Sequence, residues 1–452
     1  MATTTTTPEH RTHHNGIENP LLRLSDEQLE AIGKEFDQLH DEVKADLDDR
    51  DALYIRGIIA LQRRLALMGR AELFASRSGP AWWLGMATLS TAKILENMEI
   101  GHNVMHGQWD WMNDPVINSQ TWDWDTASTK EAWKHSHNYV HHTFTNILGK
   151  DRDLGYEIMR IDPHQKWHPV YLLQPFYNVL LMALFEWGVA VHDLDFDAIR
   201  SGEKSSKQVR KELKGIGGKA RAQIQKDYVA WPLLSAAVST AVEAGVHAVF
   251  DARCARKGGA RGLFERVRRP RRASRSEQAG FNALDAFRRS YVATVKANAW
   301  ANVVRNIWSN AIIFCGHFPD QTYVFTEDEV RDEQPGGRYV RQLIGAANIE
   351  GSALFHVMSG NLGYQVEHHL YPDMPSSRYG EIAPRVREIC RRYGLPYNTG
   401  PFSKQWLTVQ RTILRLAFPG GEARPKPGPW NGETFISQGE LELSAAAEAA
   451  RG

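Results

Sequence analysis

Three stretches of this chain stay apolar for about the twenty residues a helix needs to cross a bilayer: Tyr171 to Val191, Val229 to Phe250 and Ala297 to Phe318. A fourth, around Leu73 to Leu95, is weaker and is broken by Arg77 and Pro80. Glu186, Glu243, His247 and Arg305 interrupt the others, so hydropathy alone leaves buried helices of a large soluble protein as an open alternative. Ahead of these runs, Ser25 to about Glu72 has the spacing of amphipathic helix and opens on Ser25-Asp-Glu-Gln28, the pattern of a capping box. This part is expected to lie along a membrane surface or to cover the chemistry-bearing segments. Residues 1–22, Thr-rich and polar, and residues 419–452, rich in Gly and Pro, read as disordered tails around one domain at 23–418.

Charge sharpens this picture. Two basic segments, about 200–226 and 253–289, follow the first and second apolar runs, the later one containing Arg268-Arg-Pro-Arg-Arg272. If each run enters the bilayer and returns, both segments fall on one side, as Lys and Arg do on the cytoplasmic face of membrane proteins. Mean hydropathy is −0.44, pulled down by the polar ends and the basic middle. Net charge is +1, which gives no global case for nucleic acid as a partner. The three cysteines, Cys254, Cys315 and Cys390, are too scattered for a disulfide framework or a thiolate metal site, which fits a reducing compartment. The start, Met1-Ala-Thr-Thr, lacks the basic and apolar regions of a secretory signal.

The chemistry is concentrated in histidine. His135-Ser-His137-Asn-Tyr-Val-His141-His142 puts four imidazoles in eight residues. On a helix, His137 and His141 share a face. His102-Asn-Val-Met-His106 precedes this box, at the polar end of an apolar run, and Gln365-Val-Glu-His368-His369 follows it. Imidazoles in such number add nothing to an apolar core, because each buried ring has two nitrogens to satisfy; a metal site uses them, because neutral imidazole is the commonest metal ligand. Eight box histidines exceed the four ligands of one structural zinc and suit two adjacent metals. Nitrogen ligands alone do not name the metal, but a long apolar substrate to be oxidised requires a redox-active one. His10, His13 and His14 lie in the N-terminal tail and are set aside, and His247, alone in its run, reads as a hydrogen-bonded core residue. His40, His164, His168 and His192 form no box, and the tryptophans around box two (Trp109, Trp111, Trp122, Trp124, Trp133) read as packing, interfacial anchors or the lining of an acyl tunnel.

The three boxes in this order, HxxxH, HxxxHH and QxxHH, resemble those of the integral-membrane fatty acid desaturase superfamily, and the residues around them resemble actinobacterial acyl-CoA desaturases of the stearoyl-CoA type over roughly 50–410. The resemblance implies an all-α membrane bundle of about four spanning helices under a cytoplasmic helical cap, multi-pass in the cell membrane with the boxes on the cytoplasmic side. It further implies a di-iron centre that activates O2 and removes two hydrogens from an acyl chain. Carried over by position, the two Fe ions would be held by His102, His106, His137, His141, His142, His368 and His369, with His317 favoured over His356 as a further ligand. Gln365, where relatives carry histidine, is suited to weak iron binding or to holding a water. His135 falls outside the pattern and is expected to support the ligands, and Glu96, Glu99, Asp151, Asp153 and Glu367 are near enough in sequence to hold the outer nitrogens of ligating rings, each being equally readable as a solvated surface acid.

The implied reaction is insertion of a cis double bond into a long-chain acyl-CoA or acyl lipid. The electrons must come from a separate donor, a flavin reductase with a ferredoxin, rubredoxin or cytochrome-type carrier, because the chain shows no haem-binding His-Pro-Gly-Gly (Gln334-Pro-Gly-Gly337 lacks the histidine), nucleotide fingerprint or iron–sulfur cysteines. Acyl hydroxylation on the same site, a metal-binding membrane protein without turnover, and a soluble zinc hydrolase remain the alternatives.

Overall fold

The computed structural model describes residues 19–256, 281–319, 321–420, 426–430 and 432; residues 1–18 with the set-aside His10, His13 and His14, most of the tail assigned to 419–452 and most of the second basic segment lie outside them, while Pro20–Arg23, at the end of the assigned N-terminal tail, is helical. The described chain is helical apart from two short parallel strands, Asn348–Glu350 and Thr399–Pro401, with Ile349 opposite Gly400. It divides into two compact units, one formed by 1–60, 94–219 and 305–452, the other by 61–93 and 220–304.

The second unit contains the end of the Asp49–Glu72 helix, most of Gly79–Leu95, the helical run through Trp231–Arg256, and the first part of Ala283–His317. Several of its polar side chains face inward. Ser235 Oγ donates to the Leu73 carbonyl at 2.7 Å and meets Thr294 Oγ1 at 2.8 Å, while Lys93 and Arg70 converge on the buried Asp227 at 2.7 and 3.3 Å. Its large apolar residues, among them Leu67, Trp83, Leu84, Val242, Val246 and Trp300, are exposed. This is the reverse of the distribution that water imposes. His247, expected in a core, is exposed and packs on Phe281 at 5.2 Å.

One helical run among the described residues, Ser206–Val249, is long and apolar enough to cross a membrane. The expected span at Tyr171 to Val191 is not continuous. It breaks at Leu184 (φ −116°, ψ 28°) into Gln174–Ala183 and Phe185–His192. Directly after the break, Glu186 turns inward and forms a buried ion pair with Arg305.

The first unit is built on a helix predicted by its cap. Ser25 Oγ accepts from Gln28 N, and Gln28 Oε1 accepts from Ser25 N, opening Asp26–Ala45. Leu29, Ile32, Phe36, Leu39 and Val43 form its buried stripe, at the spacing one helical face requires. This face packs on Pro335–Ile344 so tightly that a Cβ on Gly336 would lie 1.8 Å from the Leu29 carbonyl oxygen. Gln334-Pro-Gly-Gly337, empty of haem chemistry, is thus a helix start with a close backbone approach. The same layer buries the Arg378 guanidinium, which holds both oxygens of Asp51 at 2.7 Å.

Candidate metal centre

The boxes come together from four places in the first unit. Box one lies on Glu96–His102 and the short turn after it, box two on Lys134–His141 and its continuation, box three on Gln365–Leu370, and His317 is the last residue of Ala283–His317. The first two segments are wound as π-helix, the widened turn that recurs at functional sites. The simple helical repeat behind the sequence argument is therefore relaxed at the histidines themselves.

Nitrogens of His102, His106, His137 and His368 all lie within 4.8 Å of one another, and so do those of His141, His317 and His369. Within the first set, ring centroids are 4.6 Å apart for His102 and His106 and 4.8 Å for His106 and His368; within the second, 4.7 Å for His141 and His317 and 4.8 Å for His317 and His369. His142 stands between the sets, 4.8 Å from His106 and 4.6 Å from His369.

The outer nitrogens are tied down. His141 Nδ1 faces Asp151 at 3.0 Å, and His137 Nδ1 faces Asp153 at 3.2 Å. His369 Nδ1 lies 2.9 Å from Gln342 Oε1, whose amide nitrogen donates to the His142 carbonyl at 2.7 Å and so fixes the amide's orientation. His368 Nδ1 faces the Tyr379 hydroxyl at 3.1 Å, while that hydroxyl donates to the Tyr371 carbonyl at 3.1 Å. His102 Nδ1 faces Asn103 Oδ1 at 2.9 Å, and the Asn103 amide nitrogen donates to the carbonyls of Glu99 and Gly360. Each of these five rings therefore carries its proton on Nδ1, leaving the Nε2 lone pair toward the cluster.

The inner nitrogens have nothing to accept from. Nε2 of His106, His137, His141, His368 and His369, Nδ1 of His317 and both nitrogens of His142 are buried without a hydrogen-bond partner among the described residues. Buried unpaired acceptors cost about 1–3 kcal/mol each, and here they are gathered in one place. A metal cation is the species that such a gathering fits, and the outer partners are those that ligating imidazoles keep.

Electrostatics agree. Burial holds His106, His142, His317, His368 and His369 well below the ordinary imidazole value, and His102 at about 3. His137 is lowered by burial too, with Asp153 opposing. These rings stay neutral, as ligation demands. His141 is raised: burial works against its charged form, but the Asp151 carboxylate outweighs it.

The fatty acid desaturase family profile matches residues 79–251 and 245–401. Over 396 residues, 88% of this chain and 82% of the relative, the sequence is 42% identical to the NADPH-dependent stearoyl-CoA 9-desaturase of Mycobacterium tuberculosis. The chain belongs to the fatty acid desaturase family. Shorter matches include the sn-1 linoleoyl-lipid 6-desaturase of Synechocystis, 34% identical over 121 residues (25% of this chain, 33% of that protein), and human fatty acid desaturase 3, 38% identical over 74 residues (16% and 17%). The protein is an oxidoreductase acting on fatty acyl chains.

The desaturase places the other expected residues as follows. His317 is in the cluster; His356 is not, its ring stacking on Tyr364 at 4.1 Å. His135, expected to support the ligands, is exposed and stacks on Tyr139 at 5.8 Å. Gln365 Nε2 lies 3.0 Å from His317 Nε2, while its Oε1 is buried without a partner. Gly316 makes room for it, since a Cβ there would come within 2.8 Å of Gln365 Cγ. Of the acidic candidates, Asp151 and Asp153 hold histidines. Glu99, pushed up to about 8 by burial, instead takes hydrogen bonds from Tyr54, Ser376 and Asn361, and Glu367 takes them from Tyr397 and Asn348. Sequence reading missed the neutral partners Asn103, Gln342 and Tyr379, and also His192, whose Nε2 is 3.0 Å from Asp153 Oδ1.

Beside His102 and His137 the desaturase holds a small cavity of about 50 Å³, with Met98, Trp124, Trp133, Phe185 and Ile313 on its apolar side and Asn97, Glu186 and Asp193 on its polar side. Trp133 stacks on His137 at 4.7 Å and meets His102 edge-on at 5.5 Å, so the indole joins the apolar wall to the histidine cluster.

Proposed function

We propose that this desaturase inserts a cis double bond at carbon 9 of a long-chain acyl-CoA such as stearoyl-CoA, the substrate and position in the name of its mycobacterial relative. One observation carries the reading: converging imidazoles with unpartnered inner nitrogens, set directly against the apolar side of a small cavity. His102, His106, His137 and His368 would hold one iron and His141, His317 and His369 the other, with His142 between them. Bound iron supplies the activation of O2 and the removal of hydrogen. The chain's own residues do the rest: Met98, Phe185 and Ile313 seat the alkyl chain and exclude water, Trp133 fixes its closest approach, and Asp151, Asp153, Gln342 and Tyr379 hold the ligand rings in one tautomer. The Gln365 amide sits beside His317, suited to hold a water there. Electrons come from NADPH through a separate reductase or carrier.

The helices of the second unit, with large apolar side chains exposed, suit a bilayer, and we assign them as membrane-spanning within one desaturase domain covering 23–418 whose histidine boxes face the cytoplasm. Expression with a matched reductase in a host lacking its own desaturase tests the function: a new monounsaturated acyl chain, with iron in the purified protein, is expected. A hydroxylated chain would replace desaturation by hydroxylation, and zinc in place of iron would refute the centre. A smaller change tests the assembly of the site. Tyr379→Phe removes the acceptor of His368 Nδ1, so iron affinity is expected to fall on the order of 10-fold, read as iron retained through desalting at unchanged helicity.

A further inference from the structure

The helix Ser206–Gln223 has two distinct faces. On the inner one, Gly215 lies so close to Thr129 that a Cβ would come within 2.8 Å of its Cγ2, and Lys219 pairs with Asp123 at 2.8 Å and donates to the Trp124 carbonyl. On the outer one, Lys207, Arg210, Lys211 and Lys214 follow the i, i+3, i+4, i+7 spacing of a single helical stripe, and all are exposed. Glu212, the one acid of this helix, is held off the stripe by Lys204 at 3.0 Å. The stripe is therefore purely cationic. By itself that would be an ordinary solvated face, but an aromatic path begins beneath it. The buried Trp124 ring lies 5.0 Å from that of Trp133, which stacks on His137 at 4.7 Å and meets His102 edge-on at 5.5 Å. The Trp124 indole N–H donates to the Ser128 carbonyl at 2.9 Å, which fixes the ring in place.

We propose, building on the acyl-CoA desaturase reading above, that this stripe docks the electron donor, a one-electron carrier with an acidic face around its redox centre, and that Trp124 and Trp133 form the route from it to the histidine cluster. The balance of the reaction requires such a donor. Reducing O2 to two waters takes four electrons and four protons. The two hydrogens removed from the alkyl chain supply two of each; the other two electrons come from two molecules of reduced carrier, each oxidised by one electron, and the other two protons from solvent. Charge complementarity selects the occupant, because an unopposed cationic stripe steers an acidic partner into place, and electron-transfer encounters need only a small interface. The carrier stays at the surface, and π-systems in contact divide the distance its electrons cross into short steps.

The test mixes the full iron-loaded protein, in discs of neutral phosphatidylcholine, with an acidic two-iron ferredoxin as the probe. Association is expected to weaken as salt is added. Reversing the stripe (Lys207→Glu, Arg210→Glu, Lys211→Glu and Lys214→Glu together) is expected to slow association on the order of 100-fold at low ionic strength. The same variant, reduced by dithionite in place of the carrier and given stearoyl-CoA and O2, is expected to form as much product in a single turnover as the unaltered protein. Trp124→Leu is expected to keep ferredoxin association and dithionite-driven product but to lose oxidation of the reduced ferredoxin, with retained iron as the check on folding. An association insensitive to salt or to charge reversal would overturn the docking face, and ferredoxin oxidation unchanged in Trp124→Leu would overturn the route. Loss of dithionite-driven product in the charge-reversed protein would assign the stripe to the phosphates of acyl-CoA and overturn the proposal while leaving the desaturase reading intact. No product from the unaltered protein with dithionite would overturn both.

Discussion

Replacing His141 with alanine is expected to eliminate the unsaturated product and to strip iron from the protein. His141 is the ring through which the metal-capable groups meet: its nitrogens lie within 4.8 Å of those of His317 and His369, and equally of those of His137 and Asp153. Its loss removes one inner nitrogen and leaves the buried Asp151 facing a void instead of an imidazole N–H. Removing one member of a catalytic unit costs on the order of 10⁴-fold in turnover, which an acyl-chain analysis reads as absence of product. The control is His135→Ala, in the same box but exposed and stacked on Tyr139, which is expected to keep both iron and product. If His141→Ala retained iron and still formed the double bond, the assignment of the centre would fall.

Asp151→Asn is expected to be nearly as informative without removing any ring from the cluster. The Asp151 carboxylate accepts from His141 Nδ1 and from the backbone N–H groups of Asn146 and Asp153, at 3.0, 2.7 and 3.0 Å. An asparagine has one accepting oxygen, and its amide would meet at least one of these donors with a donor of its own. The ring then loses its fixed tautomer, and the turn carrying Asp153 loses its closure. Loss of such an outer partner costs about 10–100-fold in metal affinity. Iron titration of the variant beside wild type measures it, and an unchanged affinity would show that Asp151 serves the loop alone.

Much of this candidate site was legible because its histidines are local in sequence: the boxes bring out eight rings, and the resemblance to the desaturase superfamily singles out seven of them. The partners that hold those rings were not legible, since Tyr379 and Gln342 belong to helices that reach the cluster only through the fold, and as neutral residues they carry no signature in a search for carboxylates. His317 carried too little local pattern to be separated from His356 before packing placed it. The apolar runs show a similar limit. Their interruptions looked like flaws in membrane spans, yet Glu186 pairs with Arg305 and Arg77 pairs with Glu243, so one interruption answers another from a different run. Neither pairing is visible along a single stretch. The break at Leu184 falls two residues before Glu186, a feature that hydropathy does not register.

The arrangement of ring protons carries a consequence for how such a centre would take up metal. Ligands that must shed protons make metal uptake a competition with acid. Here seven of the eight rings are held below the ordinary imidazole value and already present a bare inner nitrogen, while His141 alone is held above it. Metal loading would therefore displace a proton chiefly from His141, whose charged form the Asp151 carboxylate favours. Acid would oppose assembly first at His141, the one ring of the eight held above the ordinary imidazole value.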